Sequence, residues 1–124
     1  MKADSSFLTF VLEVFAPLGR LSARRMFSGH GLFQDGLMFG LVFQEQLYLK
    51  VDAQSRPQFE AAGLQPFTYA RQGKPVALSF HRAPESVFDE PDQARLWGTL
   101  ALAAALRAKA AKPDKAVRAG RRLA

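Results

Sequence analysis

Apolar residues recur at helical spacing at the start of the chain and at alternating spacing soon after. Phe7, Leu8, Val11, Leu12 and Phe15 repeat every three or four positions, which lays one apolar stripe along a helix. The spacing predicts a first helix from Ser5 to Ala16. Asp4, Ser5 and Ser6 are capping residues, and Pro17 and Gly19 end it. The period then shortens. Arg24 to Ser28 and Gly31 to Phe33 read as strand pieces on either side of Gly29-His30. Asp35-Gly36 is a two-residue hairpin signal, because a primed turn needs positive φ. In the next strand Leu37, Phe39, Leu41 and Phe43 occupy one face, and Met38, Gly40 and Val42 the other. A strand apolar on both faces is expected at the centre of a sheet, covered by helices or by a partner subunit.

After a turn at Gln44-Glu45-Gln46, alternation resumes. Leu47, Leu49 and Val51 point inward, and Tyr48 and Lys50 outward. A short helix is expected from Ser55 to Ala62, capped by Ser55, with Pro57 in its first turn and Gly63 at its stop. Phe67 to Ala70 and Val76 to Arg82 form a second hairpin around Gln72-Gly73-Lys74. Pro84 to Asp89 is a helical turn, and Pro91 opens a last helix running to about Ala111. That helix carries Leu96, Trp97, Leu100, Leu102, Ala103 and Leu106 on a background of alanine, the best helix former. Pro113 breaks it. The fold class is α+β: an antiparallel β-sheet of about four to six strands, flanked by an N-terminal helix and a long C-terminal helix. One domain is expected over residues 1–112. Residues 113–124 form a basic tail with few apolar anchors, expected to be flexible.

Composition narrows the function classes. A chain of 124 residues can bury one core without staples. Eleven phenylalanines suggest a core built on large rings. There is no cysteine, which excludes disulfides, thiolate zinc sites and cysteine nucleophiles, and fits a reducing cytoplasm. No run of 18 apolar residues exists, so no membrane-spanning helix is expected. Lys2, Asp4 and Glu13 do not read as a signal peptide. The net charge of +6 is unevenly placed. From Arg107 onward there are seven basic residues and one acid, Asp114, and ten of each sign precede them. Any electrostatic argument for nucleic acid therefore concerns the C-terminal end.

Several residues have the types that catalysis or metal binding would need. Ser28, His30 and Asp35 are nucleophile, base and acid types in close succession. A triad needs mutual geometry that sequence closeness does not supply, and no nucleophile-elbow motif is present. Glycine on both sides of His30 instead marks a bulge or a close backbone approach. His30 and His81 could meet across strands, but two ligands fall short of a zinc site. The Gly-His-Gly pattern lacks the third glycine of a dinucleotide fingerprint. Nothing in the sequence calls for a cofactor, a metal or a catalytic residue.

Arg24 and Arg25 point to opposite faces of a strand, as a solvated or paired edge or as contacts to a partner's acid. Tyr48, Lys50, Phe67, Tyr69 and Arg71 have the residue types of a stacking platform, but Phe67 and Tyr69 share one face as core residues do, and no RNP-type motif is present, which favours core packing. Arg24, Arg25, Tyr48 and Lys50 are the candidate partner-binding residues. Lys109, Lys112, Lys115, Arg118 and Arg121 recur at i+3 spacing, and Arg122 adds one more charge. If helical, they form a basic stripe interrupted by Pro113, able to contact phosphates without reading sequence. They are the candidate nucleic-acid-binding residues.

In order, "RRMFSGHGLFQDGLMFGLVFQEQLYLKVD", "FEAAGLQPFTY", "GKPVALSFHRAPE" and "LWGTLALAAA" resemble the N-terminal domain of the TfoX/Sxy family, regulators of natural competence in bacteria. The resemblance covers about residues 22–110. Ser28 stands where the family often has glycine, and His81 where an aromatic is common. The resemblance implies an α+β fold with an antiparallel sheet and a regulatory role rather than catalysis. Full-length members act as coactivators at competence promoters that depend on the cAMP receptor protein, and carry a second, C-terminal domain. This chain is expected to be a stand-alone N-terminal domain. The sequence reading is therefore a cytoplasmic, non-enzymatic, regulatory protein-interaction module. Its partner is a protein such as a transcription factor, or a second copy in a homodimer. The alternative is a nucleic-acid-associated protein that binds phosphates through its basic tail. A monomer by light scattering at high concentration would remove the dimer.

Overall fold

A computed structural model describes residues 2–26, 28–71 and 74–111, with side chains described for these except residues 2–5, 69–71 and 74–78. The expected tail, with Lys112, Lys115, Arg118, Arg121 and Arg122, lies outside the described residues. The elements are α1 (Lys2–Val14), a 3₁₀ turn (Ala16–Leu18), β1 (Leu21–Met26), β2 (Gly29–Gln34), β3 (Leu37–Phe43), β4 (Gln46–Lys50), α2 (Arg56–Ala61), β5 (Pro66–Arg71), β6 (Lys74–Arg82), a second 3₁₀ turn (Glu85–Phe88) and α3 (Pro91–Ala111). The sheet has six strands in the order β1-β2-β3-β4-β6-β5, with every pairing antiparallel. The expected α+β class and both flanking helices are present.

Several boundaries differ from expectation. The first helix begins at Lys2 and ends at Val14. Pro17 lies inside the following 3₁₀ turn, where its missing N–H costs nothing. Gly29-His30-Gly31 is not a break between strand pieces. It belongs to β2, paired with Met26, Arg25 and Arg24 of β1. Ser55 sits at the start of α2 without making the side-chain cap expected of it. It exchanges hydrogen bonds with Asp52 instead. Asp52 Oδ1 accepts from the Ser55 N–H at 3.0 Å, and Ser55 Oγ accepts from the Asp52 N–H at 3.1 Å, the reciprocal logic of a capping box. At the other end Gly63 has φ +75°. There the N–H groups of Gly63 and Leu64 donate to the carbonyls of Glu60 and Phe59, which closes the helix as a left-handed glycine stop.

The main core lies between the sheet and the helices. Val11 of α1, Phe15 just after that helix, Leu32, Phe39, Val42, Leu47 and Leu49 of the sheet, Phe59 of α2, and Ala94 and Ala101 of α3 are buried together. The small face of α3 brings its axis close to its neighbours. A Cβ on Gly98 would stand 2.6 Å from Leu18 Cδ1 and 3.1 Å from the Phe15 ring.

Strict alternation in β3 is overturned by a bulge. Leu32 pairs with Gly40 but Phe33 with Met38, so Phe39 is an extra residue on β3. One extra residue resets which face the following side chains occupy. Phe39 and Val42 therefore join the helix-side core, while Leu41, with Met38 and Phe43 packed against it, joins Phe67 and Phe80 in a second cluster on the other face.

That second cluster explains what covers the far side of β3. Phe67 on β5 and Phe43 on β3 are three strand positions apart, about 14 Å in a flat sheet. Their ring centroids are 5.3 Å apart, and Phe67 also meets Tyr48 at 4.7 Å. The sheet must curl so that its own β5 edge folds over β3 and β4. The β5–β6 register slips between Pro66 and Thr68, and such irregularities bend strands and increase twist. Leu41 is buried from both sides without a second subunit.

Candidate functional site

The stretch that looked most like chemistry is pulled apart by the strand it forms. Ser28 precedes β2 and Asp35 follows it, so a six-residue strand separates them by about 20 Å. The Ser28–His30–Asp35 grouping does not assemble within one chain. Asp35 and Gly36 have φ +51° and +84°, as a primed hairpin turn requires. Ser28 has φ +63°, a conformation that glycine adopts at no steric cost. Gly29 marks a close approach, because a Cβ there would stand 2.1 Å from the Val42 carbonyl oxygen.

His30 and His81 sit three strand positions apart, on β2 and β6. The notion that they meet across neighbouring strands is overturned by that order. His81 is buried at 5% exposure. Its Nδ1–H donates to the Leu64 carbonyl at 2.9 Å, and its ring lies 5.8 Å from that of Phe59, so it joins the α2–β5 link to the core. Among the described residues, no group of three or more histidines and carboxylates is placed to hold a metal ion.

The candidate partner-binding residues divide between two places. Arg24 and Arg25 are exposed on β1, the edge strand. The Arg24 guanidinium lies 5.2 Å from the Phe33 ring centroid, a cation–π contact worth about 0.5–1 kcal/mol at an exposed site. Charged side chains on an edge strand also discourage pairing with another chain. Tyr48 and Lys50 are half-buried on β4, on the curled face. Tyr48 packs edge-on against Phe67, and Lys50 Nζ lies 5.4 Å from the Phe80 ring centroid. Phe67 is only 2% exposed, so it offers no open ring for a base to stack on. The side chains of Tyr69 and Arg71 lie outside those described. Lys109 is exposed on α3.

Two features escape a reading of the sequence. The first joins α3 to the turn before α2. Arg107 Nε and Nη2 donate to the two carboxylate oxygens of Asp52 at 2.6 and 3.0 Å. The Arg107 hydrogen bonds hold the Asp52 carboxyl well below the usual carboxylate range, with burial opposing them and the Ser55 contacts adding to them. A depressed folded-state value means the pair stabilises above the unfolded carboxyl value of about 4, and its contribution fades as pH falls from there. Asp52→Asn is expected to lower the melting temperature by a few degrees at pH 7. That deficit should narrow steadily below about pH 4, as followed by thermal unfolding across pH.

The second is an aromatic surface where α1 meets the Glu85–Phe88 turn. Phe88 stacks on Phe10 at 5.8 Å and leans on Phe7 at 5.9 Å, and Phe10 remains 41% exposed. The nearby Gln44-Glu45 turn has φ +51° and +59° without a glycine, a left-handed conformation costing about 1–2 kcal/mol per residue.

The sequence profile of the TfoX N-terminal domain family matches residues 13–105, three-quarters of the chain, and the chain belongs to that family. A curated relative is the DNA transformation protein TfoX1 of Aliivibrio fischeri, 28% identical over 88 residues. That alignment covers 71% of this chain and 40% of the relative, so the chain spans well under half the length of the protein it matches. The chain is thus a TfoX-like domain related to DNA transformation proteins. Among the described residues no helix is long and apolar enough to cross a membrane.

Proposed function

We propose that this domain is a non-enzymatic regulatory module that acts by binding a protein partner, a transcription factor of the competence system being the partner class. The observation that carries the reading is the TfoX match over residues 13–105. The scatter of Ser28, His30, Asp35 and His81 over separate ends and strands of the sheet supports binding over catalysis. Deleting the gene from the bacterium that encodes it should alter transcript levels of DNA-uptake genes, and a plasmid copy should restore them. Unchanged transcripts and unchanged transformation frequency would remove the reading.

A second reading rests on charge. Seven of the seventeen basic residues lie from Arg107 onward, and such a concentration binds phosphates with a steep salt dependence. One of the seven, Arg107, is already paired with Asp52, which leaves Lys109, Lys112, Lys115, Arg118, Arg121 and Arg122. Removing residues 113–124 is expected to abolish most duplex-DNA binding at low salt, measured by fluorescence anisotropy. Equal binding by both forms would exclude the tail as a phosphate-binding element.

A further inference from the structure

We propose that the surface around Phe10 and Phe88 is a docking site for a basic peptide segment bearing large apolar side chains. The inference rests on the protein-interaction reading above and names the surface and the partner chemistry. Two clefts flank Phe88. One, of about 270 Å³, runs between α1 and the start of α3, floored by Val14, Pro17, Val87 and Ala94. The other, of about 280 Å³, lies between α1 and the β3–β4 turn, floored by Phe7, Phe10 and Leu47. Phe88 lines both, so they form neighbouring sockets on one apolar ridge, each roomy enough for a leucine or phenylalanine side chain. Exposed apolar surface rimmed by polar groups is a mark of an interaction site.

The rim is predominantly acidic. Glu13, Asp89 and Glu90 border the first cleft, and Glu45 and Glu85 border the second. Among the described residues, the one cation lining either cleft is Arg82, which lies 3.8 Å from Glu85. Five carboxylates against one arginine give a locally negative face on a chain whose net charge is +6. Such a face attracts a partner rich in lysine or arginine and steers its approach.

The backbone points to the same place. Glu45 is held at φ +59°, where glycine would be more stable, and it lines the second cleft. Strain kept beside a concave apolar surface fits a side chain retained for contact.

The test uses the full chain and a short fluorescein-labelled peptide of leucine and lysine, with leucines at helical spacing. Micromolar binding by anisotropy is expected, weakening with salt. Phe10→Ser should weaken it at least tenfold, and Glu13→Lys about threefold. Glu45→Gly should raise the melting temperature while weakening binding, a pair of effects that a purely structural role would not give. Leu106→Ser, on the exposed far end of α3, should leave binding unchanged. Circular dichroism and thermal melts establish that each variant is folded. No binding at millimolar peptide, equal binding of a leucine–glutamate peptide, or equal binding by Phe10→Ser would each overturn the proposal. If peptide binding fails while gene deletion still alters transcripts, the regulatory reading stands and this surface does not. Equal loss of binding in Leu106→Ser would overturn it too, because the peptide would then coat the chain rather than occupy these clefts.

Discussion

Phe59→Ala is expected to lower the free energy of unfolding by about 3–5 kcal/mol, the range for emptying a fully buried phenylalanine site. Phe59 has 0% exposure. Its ring meets Trp97 of α3 edge-on at 4.9 Å and leans on His81 of β6 at 5.8 Å, so one side chain ties α2 to both the last helix and the sheet. Neighbours held by two separate elements, α3 and β6, cannot collapse far into the space, which puts the cost towards the upper end of the range. At about 4 °C per kcal/mol for a domain of this size, the melting temperature should fall by about 12–20 °C. Phe59→Leu, which refills much of the volume, should recover more than half of that loss. Thermal denaturation by circular dichroism measures both. A drop under about 4 °C for the alanine variant, equivalent to only about 1 kcal/mol, would show that α2 is not a structural part of the domain.

Gly29→Ala should cost at least about 3 kcal/mol, at the top of the range for overpacking. The obstacle to a Cβ is the Val42 carbonyl oxygen at 2.1 Å, with Phe43 Cα at 3.2 Å. These are backbone atoms of β3, which cannot rotate away as a side chain tip can. Strands β2 and β3 must part locally, and the hydrogen bonds around His30 and Val42 go with them. Faster amide exchange in β2 and β3, with α3 protected as before, is the expected signature. Gly36→Asn is the contrast. Gly36 has positive φ, but a Cβ there would meet nothing within 4 Å. Asparagine tolerates that conformation, so the effect should be small.

The two glycines show where local reading reaches and where it stops. Asp35-Gly36 announces its turn, because the chemistry of a primed hairpin is contained in two adjacent residues. Gly29 announces only that something is irregular. Its reason is the carbonyl of Val42 on the next strand. Likewise α3 is legible from Pro91 to Ala111, since a proline start, an apolar period and an alanine background are all local signals. The partner of Arg107 is not legible, because Asp52 is 55 residues away and nothing in either neighbourhood names the other. The candidate site is hidden for the same reason. Phe10 reads as part of a helix, Glu45 as a turn residue and Phe88 as the end of a helical turn. Each reading is locally sound, and none can say that the three border one surface.

Periodicity, turn residues and helix stops were sufficient for the α+β class, for the order of the elements and for most of the core. These features depend on neighbours within a few residues. The bulge at Phe39, the curl that lays Phe67 over Phe43, the separation of Ser28 from Asp35 and the charged aromatic surface around Phe88 were decided by tertiary structure. Each depends on where one strand or helix lies relative to another, a long-range relation that alternating and helical patterns do not encode.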